Sequence, residues 1–580
     1  MNFTNNYLKS KEEVLDSEGF HEILSAYILL TERRKYKSFL LLKKIFKEKE
    51  NGDLTHQIIK LCKLLIIMDS REISKEFKEF ENIYSYRNEL RDFVEDLYTY
   101  WRNLERYAMV EDKRDNYGIL NASFMSAKEA FNKLIIELYR SVSNNLSMTT
   151  PTVYRQVPAG ANAGFIVYKS DWDSPKEYER LKNIPFIKEV ILEAPFITYP
   201  KRNTRDGVFK ELDSNPMNRL DMDENNFVCY PAMVGDLLAY VYVEVSFLTH
   251  GVSLANLFEL PEETYISGKK PQLVVVFGAD DKYEKKFTGF YDDRENDMVI
   301  GYVSNHQDHD YFGYMKKMIL TIQNIYSLNR RRLPIHGAMV AIELKDGSKA
   351  NIVIVGDSGA GKSESIEAFR ALASNNISDM TIIFDDMGTF GDKDGNIWGY
   401  GTEIGAFVRL DDLETGFAFK ELDRSIFMNP DKINARLITP ISSYKDVVKG
   451  KKVDILLYAN NYEKRNEKDS AVEIIEDIEL AKKIFIEGKR MAKGTTSEEG
   501  ITKSFFANPF GPHQRPEQTN ELIDDYFENL YLSKVPVGVL YTQLGLKGLE
   551  KEGPKLAAQD LFDFIKLLNS EVLNETIQKN

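Results

Sequence analysis

Cysteine is nearly absent from this chain, which has two such residues, Cys62 and Cys229, among 580. They lie far apart without metal-ligand spacing, so the sequence excludes a disulfide scaffold and predicts two buried, reduced thiols. Long apolar runs are also missing, since no segment approaches the ~18 apolar residues of a membrane span. The first residues, MNFTNNYLKSKEEVLD, contain no apolar segment typical of a signal peptide. We therefore expect a soluble, cytoplasmic protein without a membrane partner.

An excess of positive charge is missing as well. The chain carries 76 Lys and Arg residues against 90 Asp and Glu residues, a formal net charge of −14. Proteins that bind nucleic acid usually show a basic stripe, so this balance argues against a nucleic-acid partner. A small anionic ligand stays compatible with it, because a local basic pocket can lie on an acidic protein. With 43% hydrophobic residues, the composition is that of a globular protein with ample core material.

Proline is absent before Pro151, and residues 1–147 carry apolar side chains at helical spacing between charges. This pattern predicts a helical N-terminal domain over 1–147, which offers a surface for a partner or for self-association. The aromatic stripe at Tyr98, Tyr100 and Trp101 is interpreted as core packing. Pro, Gly and Thr appear together near 147–152, and β-rich runs then alternate with helical ones. We expect an α/β domain over 148–330 and a nucleotide-binding domain over 331–580.

The most specific motif is VIVGDSGAGKSESIEAF, residues 353–369, which matches the phosphate-binding loop G-x-x-x-x-G-K-[S/T]. A strand leads into it and a helical pattern follows, so backbone N–H groups and a helix N-terminus are expected to face phosphate. Lys362 would contact the β- and γ-phosphates, and the Ser363 hydroxyl would join the Mg²⁺ shell. The predicted cofactors are ATP and Mg²⁺. The predicted nucleotide-binding residues are Gly356, Asp357, Ser358, Gly359, Ala360, Gly361, Lys362, Ser363 and Glu364.

Titratable residues stand at the ends of predicted elements on both sides of the loop. Downstream, DMTIIFDDMGTF is interpreted as a strand ending at Asp385 and Asp386, where a carboxylate can hold Mg²⁺ or a second metal. Upstream, His336 begins a strand that a KDGSK turn pairs with the strand of the loop, so we expect it near the phosphates. Lys316 and Lys317 stand at the start of a predicted helix. Positive charges at that position interact unfavourably with the helix dipole, and this cost is offset if the lysines face an anion or a metal-bound substrate.

In this order, these segments resemble ATP-dependent phosphoenolpyruvate carboxykinase. The similarity covers about 195–550 and is strongest from 311 to 515. The resemblance implies an α/β fold with a carboxykinase-like P-loop core of mixed sheets and helices, preceded here by the all-α N-terminal domain. The matching segments are Gly313-Tyr314-Met315-Lys316-Lys317, Ile335-His336-Gly337, the phosphate-binding loop, Phe384-Asp385-Asp386, Glu403-Ile404-Gly405, Asn434-Ala435-Arg436 with Pro440, and Gly494-Thr495-Thr496 with Gly500-Ile501-Thr502.

The resemblance also implies a chemistry at the matching positions. Lys317, His336 and Asp386 would hold a catalytic Mn²⁺, with the lysine as a neutral amine of strongly lowered pKa. Lys316 would contact the substrate and Arg436 would lie between the substrate and the γ-phosphate, with Ser358 close to the transferred phosphate. The implied reaction is decarboxylation of an oxaloacetate-like anion to an enolate, which takes the γ-phosphoryl group of MgATP. The implied catalytic residues are Lys316, Ser358, Asp385 and Arg436, and the implied metal ligands are Lys317, His336, Ser363 and Asp386.

The substrate pocket departs from the family. The family's arginine after Gly-Thr-Glu is replaced by the acids of GTTSEEG, and its N-terminal substrate arginine has three candidates, Arg155, Arg202 and Arg205. We expect one of the three to approach the metal site in a closed cleft. Two alternatives stay open. The loop also resembles that of HPr kinase/phosphorylase, a protein serine kinase, so one alternative is an ATP-dependent kinase of a protein or a small molecule. The other is a nucleotide-sensing regulator with a helical partner-binding front.

Overall fold

The fold is that of a mixed α/β protein with several sheets, as predicted at that level. It is known from a computed structural model that describes residues 2–3, 8–33, 37–46, 51–104, 107–111, 119–148, 162–192, 195–357, 359–362, 365–366, 368–369, 376–410, 424–466, 469–492 and 500–579. The chain divides into two compact units, Met1–Tyr168 with Glu189–Glu193 and Lys169–Lys188 with Ala194–Asn580. The boundaries at 147/148 and 330/331 stay predictions. No helix in the described ranges is long and apolar enough to cross a membrane.

The first unit is mainly helical. Two of its helices begin at side-chain caps, because Ser10 accepts a hydrogen bond from the Glu13 amide and Asp69 accepts from the Arg71 and Glu72 amides. Its helices are α1 (Lys11–Asp16), α2 (Glu18–Arg33), α3 (Lys37–Ile45), α4 (Asn51–Leu65), α5 (Ser70–Glu76), α6 (Arg87–Asn103) and α7 (Ile119–Ser147).

The prediction that residues 1–147 are entirely helical is wrong at two places. Strand β1 (Asn2–Phe3) pairs in parallel with β2 (Tyr107–Glu111), which pairs in parallel with β3 (Ala163–Tyr168). The hydrogen-bond partners of β2 come from distant parts of the chain, so no local window of sequence reveals this strand. Residues 1–147 are therefore helical with two short strands, β1 and β2.

The aromatic stripe on α6 forms part of the core of the first unit, as predicted. Tyr98 and Trp101 are buried, and Tyr100 packs against the same cluster of apolar side chains. The Tyr98 ring stacks on that of Tyr139 with centroids 4.2 Å apart, and Phe20 lies 5.5 Å from Trp101. Burial of such rings is the main stabilising contribution of this helix.

The second unit begins with a mixed sheet that supports the helix carrying the predicted lysine pair. The sheet contains the neighbours β8–β9–β10–β12–β11–β6 in that order. Gly301 in this sheet permits close packing of the helix, since a Cβ there would lie 2.6 Å from the Met318 Sδ. Strand β4 (Phe186–Leu192) belongs to this unit up to Lys188 and to the first unit from Glu189. The other elements are β5 (Phe196–Thr198), β6 (Lys210–Glu211), β7 (Leu220–Asp221), β8 (Phe227–Val234), β9 (Leu237–Glu244), α8 (Leu248–Leu254), α9 (Glu263–Ile266), β10 (Leu273–Asp281), β11 (Thr288–Asp293), β12 (Met298–Ser304) and α10 (Phe312–Asn329).

The remainder of the second unit is built on a second mixed sheet of order β20–β16–β15–β13–β14–β21–β25–β22. A smaller sheet has the order β17–β19–β18–β5, and β23 pairs with β24. The elements are β13 (Leu333–Leu344), β14 (Lys349–Val355), β15 (Ile377–Lys393), β16 (Asn396–Gly401), β17 (Gly405–Arg409), β18 (Ile426–Met428), β19 (Arg436–Pro440), α11 (Tyr444–Lys449), β20 (Lys451–Lys452), β21 (Ile455–Asn460), β22 (Val472–Ile474), α12 (Ile478–Glu487), β23 (Lys489–Met491), β24 (Ile501–Lys503), α13 (Pro516–Leu532), β25 (Val537–Tyr541) and α14 (Glu552–Lys579).

The pairing of these strands brings distant segments to one edge of the second sheet. Strands β14, β21 and β25 run in parallel, so their carboxyl ends meet at that edge. Strand β13 is antiparallel to β14 and places Gly337 opposite Val355, the last residue before the phosphate-binding loop. On its other side, the same Gly337 lies opposite Asp386 of β15. His336 therefore lies beside the loop, as the hairpin pattern predicts.

Candidate functional site

The described part of the phosphate-binding loop is held by backbone bonds to its neighbours. The Gly356 amide donates to the His336 carbonyl at 3.0 Å, and the Ala360 amide donates to the Asp357 carbonyl at 3.0 Å. The buried Lys362 Nζ donates to the Gly356 carbonyl at 2.6 Å, inside the curve of the loop. The predicted site residues Ser358, Ser363 and Glu364 lie outside the described residues.

Side chains at the ends of the two parallel strands support this loop. Asn461 follows β21 and donates from Nδ2 to the Gly359 carbonyl at 2.8 Å. Thr542 follows β25 and donates from Oγ1 to the Ala360 carbonyl at 3.0 Å. Gly361 has a φ of +104°, and a Cβ there would lie 2.7 Å from the Thr542 Oγ1. The third glycine of the motif is thus required both for its backbone conformation and for close packing.

Three of the predicted side chains converge on the carboxylate of Asp386. Lys316 Nζ lies 2.6 Å from Asp386 Oδ2, and Lys317 Nζ lies 2.7 Å from the same oxygen. His336 Nε2 lies 3.0 Å from Asp386 Oδ1. Lys316 also lies 3.0 Å from Oε1 of the buried Glu403. These five residues form the Asp386 cluster, which lies next to the phosphate-binding loop.

Two sequence expectations about this cluster need correction. The strand does not end at the acidic pair, since β15 continues to Lys393 and pairs with β16 beyond it. The backbone at Asp386 has a φ of +146°, which is rare for a residue other than glycine. The helix that carries the lysines begins at Phe312, so Lys316 lies in its second turn, where repulsion from the helix dipole is weaker. Asp385 is half-buried opposite Ala338 in the strand register.

Burial and mutual charge set the protonation of the cluster. Burial lowers the pKa of Lys317 to about 8, although the Asp386 carboxylate opposes this shift. Burial also opposes the charge of Lys316, but the carboxylates of Asp386 and Glu403 outweigh it and raise the pKa of Lys316. For Asp386 the two lysines outweigh burial and hold the pKa of the carboxyl well below its usual range. Lys317 is therefore the lysine whose neutral amine is accessible near physiological pH.

The hydrogen bonds of His336 leave its second ring nitrogen directed at a carboxylate. Nδ1 lies 2.7 Å from the Ala507 carbonyl, which can only accept, so Nδ1 carries a proton. Burial, followed by the charge of Lys362, lowers the pKa of His336 to about 4, so the ring is neutral at pH 7. The bare Nε2 lone pair then faces Asp386 Oδ1 at 3.0 Å. A cation placed between these two electron-rich atoms would be attracted to both of them.

The donor atoms of the cluster fit a transition-metal ion of the Mn²⁺ type. One neutral imidazole, one carboxylate and one amine of lowered pKa are suitable ligands once deprotonated. Among the described residues, no group of three or more His, Cys, Asp or Glu side chains is arranged to hold a metal. The third protein ligand of the proposed site is instead a lysine amine. His336 and Lys317 approach the two different oxygens of Asp386.

Of the three candidate substrate arginines, Arg205 lies next to the cluster. Its guanidinium carbon is 5.1 Å from the centroid of the Phe510 ring, and Lys317 Nζ is 4.5 Å from the same centroid. The His336 ring meets Phe510 edge-on at 6.1 Å. Arg202 instead forms an exposed ion pair with Asp308, and the candidate at position 155 lies outside the described residues. Phe510 thus joins an arginine to two members of the cluster.

A second arginine approaches the cluster from the smaller sheet. The Arg436 guanidinium carbon lies 5.2 Å from the Phe407 ring centroid, and Lys316 Nζ lies 5.6 Å from that centroid. Arg409 is the direct register partner of Arg436 on the neighbouring strand. Two like charges directly opposite each other on neighbouring strands are unfavourable, and an anion beside them would reduce this repulsion. Arg436 thus lies on the side of the cluster where Lys316 is found.

Several residues of this site have no recognisable signal in the sequence. Glu403 belongs to a matching segment, but no motif predicts its contact with Lys316, and no motif predicts the positions of the Phe407 and Phe510 rings. Arg490 was also missed: its Nε donates to Asp357 Oδ2 at 3.1 Å, and both side chains are buried. A lone arginine after a helix carries no pattern, so only the tertiary contact identifies it. No family model matches the chain, and no curated protein matches it.

Proposed function

We propose that this protein is an ATP-dependent phosphotransferase of the phosphoenolpyruvate carboxykinase type. It would convert oxaloacetate and ATP to phosphoenolpyruvate, CO₂ and ADP. The observation that carries the proposal is the convergence of Lys317 and His336 on Asp386 beside a phosphate-binding loop. A nucleotide-binding protein that only senses its ligand has no need of a second cation site at this position.

The residues divide the chemistry among them. The phosphate-binding loop and Lys362 would bind MgATP. Lys317, His336 and Asp386 would hold Mn²⁺, which when bound supplies positive charge for a developing enolate oxygen. Lys316 adds a fixed ammonium beside that position, held between Asp386 and Glu403. Because these groups are buried, their interactions with an anion are stronger than they would be in water.

The bond changes balance without a further reactant. The C–C bond to the leaving carboxylate breaks and releases CO₂, and its electron pair forms the enolate. The enolate oxygen then attacks the γ-phosphorus of ATP, and the bond to the bridging oxygen of ADP breaks. Arg205 and Arg436 support this reaction as clamps for the remaining carboxylate and the γ-phosphate. The Phe510 ring contacts both Arg205 and Lys317, and the Phe407 ring contacts both Arg436 and Lys316.

The test is incubation of the purified full chain with oxaloacetate, γ-labelled ATP and Mn²⁺. We expect labelled phosphoenolpyruvate and CO₂ in equal amounts, and no product when Mn²⁺ is replaced by a chelator. Consumption of ATP without phosphoenolpyruvate would contradict the carboxykinase proposal.

A protein kinase of the HPr kinase type is the second candidate. It is favoured by exposed apolar side chains near the arginines, since Ile433 is 89% exposed and Tyr199 57% exposed. Asn203 links the two segments by donating to the Ile433 carbonyl at 2.9 Å. An apolar rim next to cationic groups suits a peptide better than a small dicarboxylate. Transfer of the label to a serine-containing protein substrate, with none to oxaloacetate, would favour this kinase.

A further inference from the structure

The phosphate-binding loop contains an acidic side chain where its ligand would be anionic. Asp357 is the second residue of the loop and is 7% exposed. Its Oδ1 lies 3.5 Å from His336 Nδ1, whose proton is already donated to the Ala507 carbonyl at 2.7 Å. A buried carboxylate beside bound phosphates would repel them unless a positive charge compensates for it. The cation of the motif, Lys362, donates to the Gly356 carbonyl, so a further cation beside Asp357 would reduce this repulsion.

Arg490 is placed to supply this cation. Its Nε donates to Asp357 Oδ2 at 3.1 Å, and its side chain is 4% exposed. The contact is charge-assisted and shielded from water, which makes it stronger than a surface ion pair. Arg490 lies in β23, in the middle of the three residues Lys489–Met491.

The position of β23 against the loop is fixed by a separate set of hydrogen bonds. Asn461 accepts from the Met491 amide at 2.8 Å and donates from Nδ2 to the Met491 carbonyl at 3.0 Å. The same Nδ2 group also donates to the Gly359 carbonyl of the loop at 2.8 Å. One buried side chain thus connects the strand that carries Arg490 to the loop that carries Asp357. The ion pair is part of a built contact between these two segments.

We propose that Arg490 is a positioning residue of the nucleotide site, whose charge cancels that of Asp357 so that the loop can accept the polyphosphate of a nucleoside triphosphate. This inference rests on the proposed nucleotide-binding function. It differs from a direct phosphate contact, in which the arginine itself would touch the ligand. It also differs from a purely structural pair, whose loss would change stability and leave ligand affinity unaltered.

The three roles are separated by a double-mutant cycle on the full chain, with MgATP affinity measured by calorimetry. The variants are Arg490→Met, Asp357→Asn and the double variant. Removing the arginine leaves the Asp357 charge to repel the phosphates, so R490M should bind MgATP at least about tenfold more weakly, roughly 1.4 kcal/mol. D357N should bind more tightly than the parent. The double variant should return to within about threefold of the parent, because the charge that needs compensation is gone.

A second arginine–aspartate pair of the same unit serves as the matched control. Arg219 Nε donates to Asp281 Oδ2 at 2.9 Å in the first mixed sheet, outside the loop. R219M should alter the urea midpoint without altering the affinity for MgATP. If R490M proves too unstable to purify, Arg490→Lys can replace it, because lysine keeps the positive charge without the planar guanidinium group. Its affinity for MgATP should lie within about fivefold of that of the parent.

Each possible result of the double-mutant cycle either supports or overturns the proposal. Weak binding by R490M that D357N restores supports charge cancellation. Equally weak binding by R490M and the double variant would mean that Arg490 contacts phosphate itself, and it would overturn the proposal. Unchanged affinity of R490M, with lowered stability alone, would also overturn it. A parent protein that shows no calorimetric signal with MgATP would instead refute the nucleotide-binding function, and with it this inference.

Discussion

The Asp386→Asn substitution tests the centre of the site most directly. The carboxylate of Asp386 accepts from Lys316 at 2.6 Å, from Lys317 at 2.7 Å and faces His336 at 3.0 Å. Asparagine has the same shape but no charge, so the substitution removes electrostatic compensation without opening a cavity. Two buried ammonium groups would then share one carboxylate, Glu403. We expect the metal-free variant to be less stable and to have lost affinity for Mn²⁺.

The size of the effect follows from the protonation of the two lysines. In the parent the pKa of Lys317 is about 8, so the variant, in which this pKa is lower, can avoid a buried charge at pH 7 by releasing that proton at a cost of at most about 1.4 kcal/mol. Lys316 loses the Asp386 carboxylate, the largest contribution that raises its pKa, and keeps only the carboxylate of Glu403. Glu403, whose pKa burial raises to about 7, offsets part of this cost by ionising. Breaking a buried pair typically costs 3–5 kcal/mol, so we expect a loss near 3 kcal/mol.

The destabilisation should also depend on pH in a definite direction. The folded-state pKa of Lys317 lies below its value in the unfolded chain, and in the variant it falls further. The relevant pH range lies between the lowered pKa of Lys317 in the variant and its pKa of about 8 in the parent. In this range only the parent keeps a charged Lys317 in contact with a carboxylate. The difference in unfolding free energy should therefore shrink as the pH rises towards 8 and then level off.

Urea unfolding of parent and variant at pH 6.5, 7.5 and 9, without metal and with Mn²⁺, measures these quantities. Asp379→Asn is the matched control, because Asp379 is exposed on the same strand, and it should stay within about 0.5 kcal/mol of the parent. Mn²⁺ should stabilise the parent and the control but not D386N. A variant as stable as the control, or one still stabilised by Mn²⁺, would refute the reasoning.

Three further predictions concern the same site. Lys362→Ala should abolish detectable MgATP binding in calorimetry, whereas Lys349→Ala, an exposed lysine on the strand that leads into the loop, should bind as the parent does. Mn²⁺ affinity should rise with pH up to about 8, because the ligand is the neutral amine of Lys317. Lys317→Met should remove this pH dependence in a titration series. A parent protein whose Mn²⁺ affinity does not change with pH would contradict the prediction. Arg205→Met should raise the KM for oxaloacetate about tenfold or more, as expected for a lost carboxylate clamp, while Arg202→Met, an exposed residue, should leave it unchanged; the reverse order would identify the wrong arginine.

The strands on either side of the motif loop could be predicted from sequence because their signals are local. The glycines, the lysine and the flanking strand of residues 352–362 form a contiguous pattern, and the KDGSK turn specified the hairpin of β13 and β14. The hairpin register then placed His336 beside the loop. The aromatic stripe on α6 was recognised as core for the same reason, since helical spacing records which side chains share a face.

Other features were mispredicted because their causes are not local. The local pattern around β2 predicts helix, because the hydrogen-bond partners of this strand, Asn2–Phe3 and Ala163–Tyr168, are remote in sequence. The acidic pair predicts a strand end, but β15 continues past it through a rare backbone conformation at Asp386. That conformation depends on packing around the cluster, which no residue pattern records.

The sequence by itself determined that the chain has a loop with the phosphate-binding motif, which residues follow it, and which polar side chains stand near element ends. Only the tertiary structure decided which of these side chains meet. It placed both lysines and His336 on Asp386, selected Arg205 over Arg202 through the Phe510 ring, and paired Arg490 with Asp357. The physical reason is that a motif encodes backbone conformation over a few residues, whereas the charge balance of a buried site is set by groups that are hundreds of residues apart.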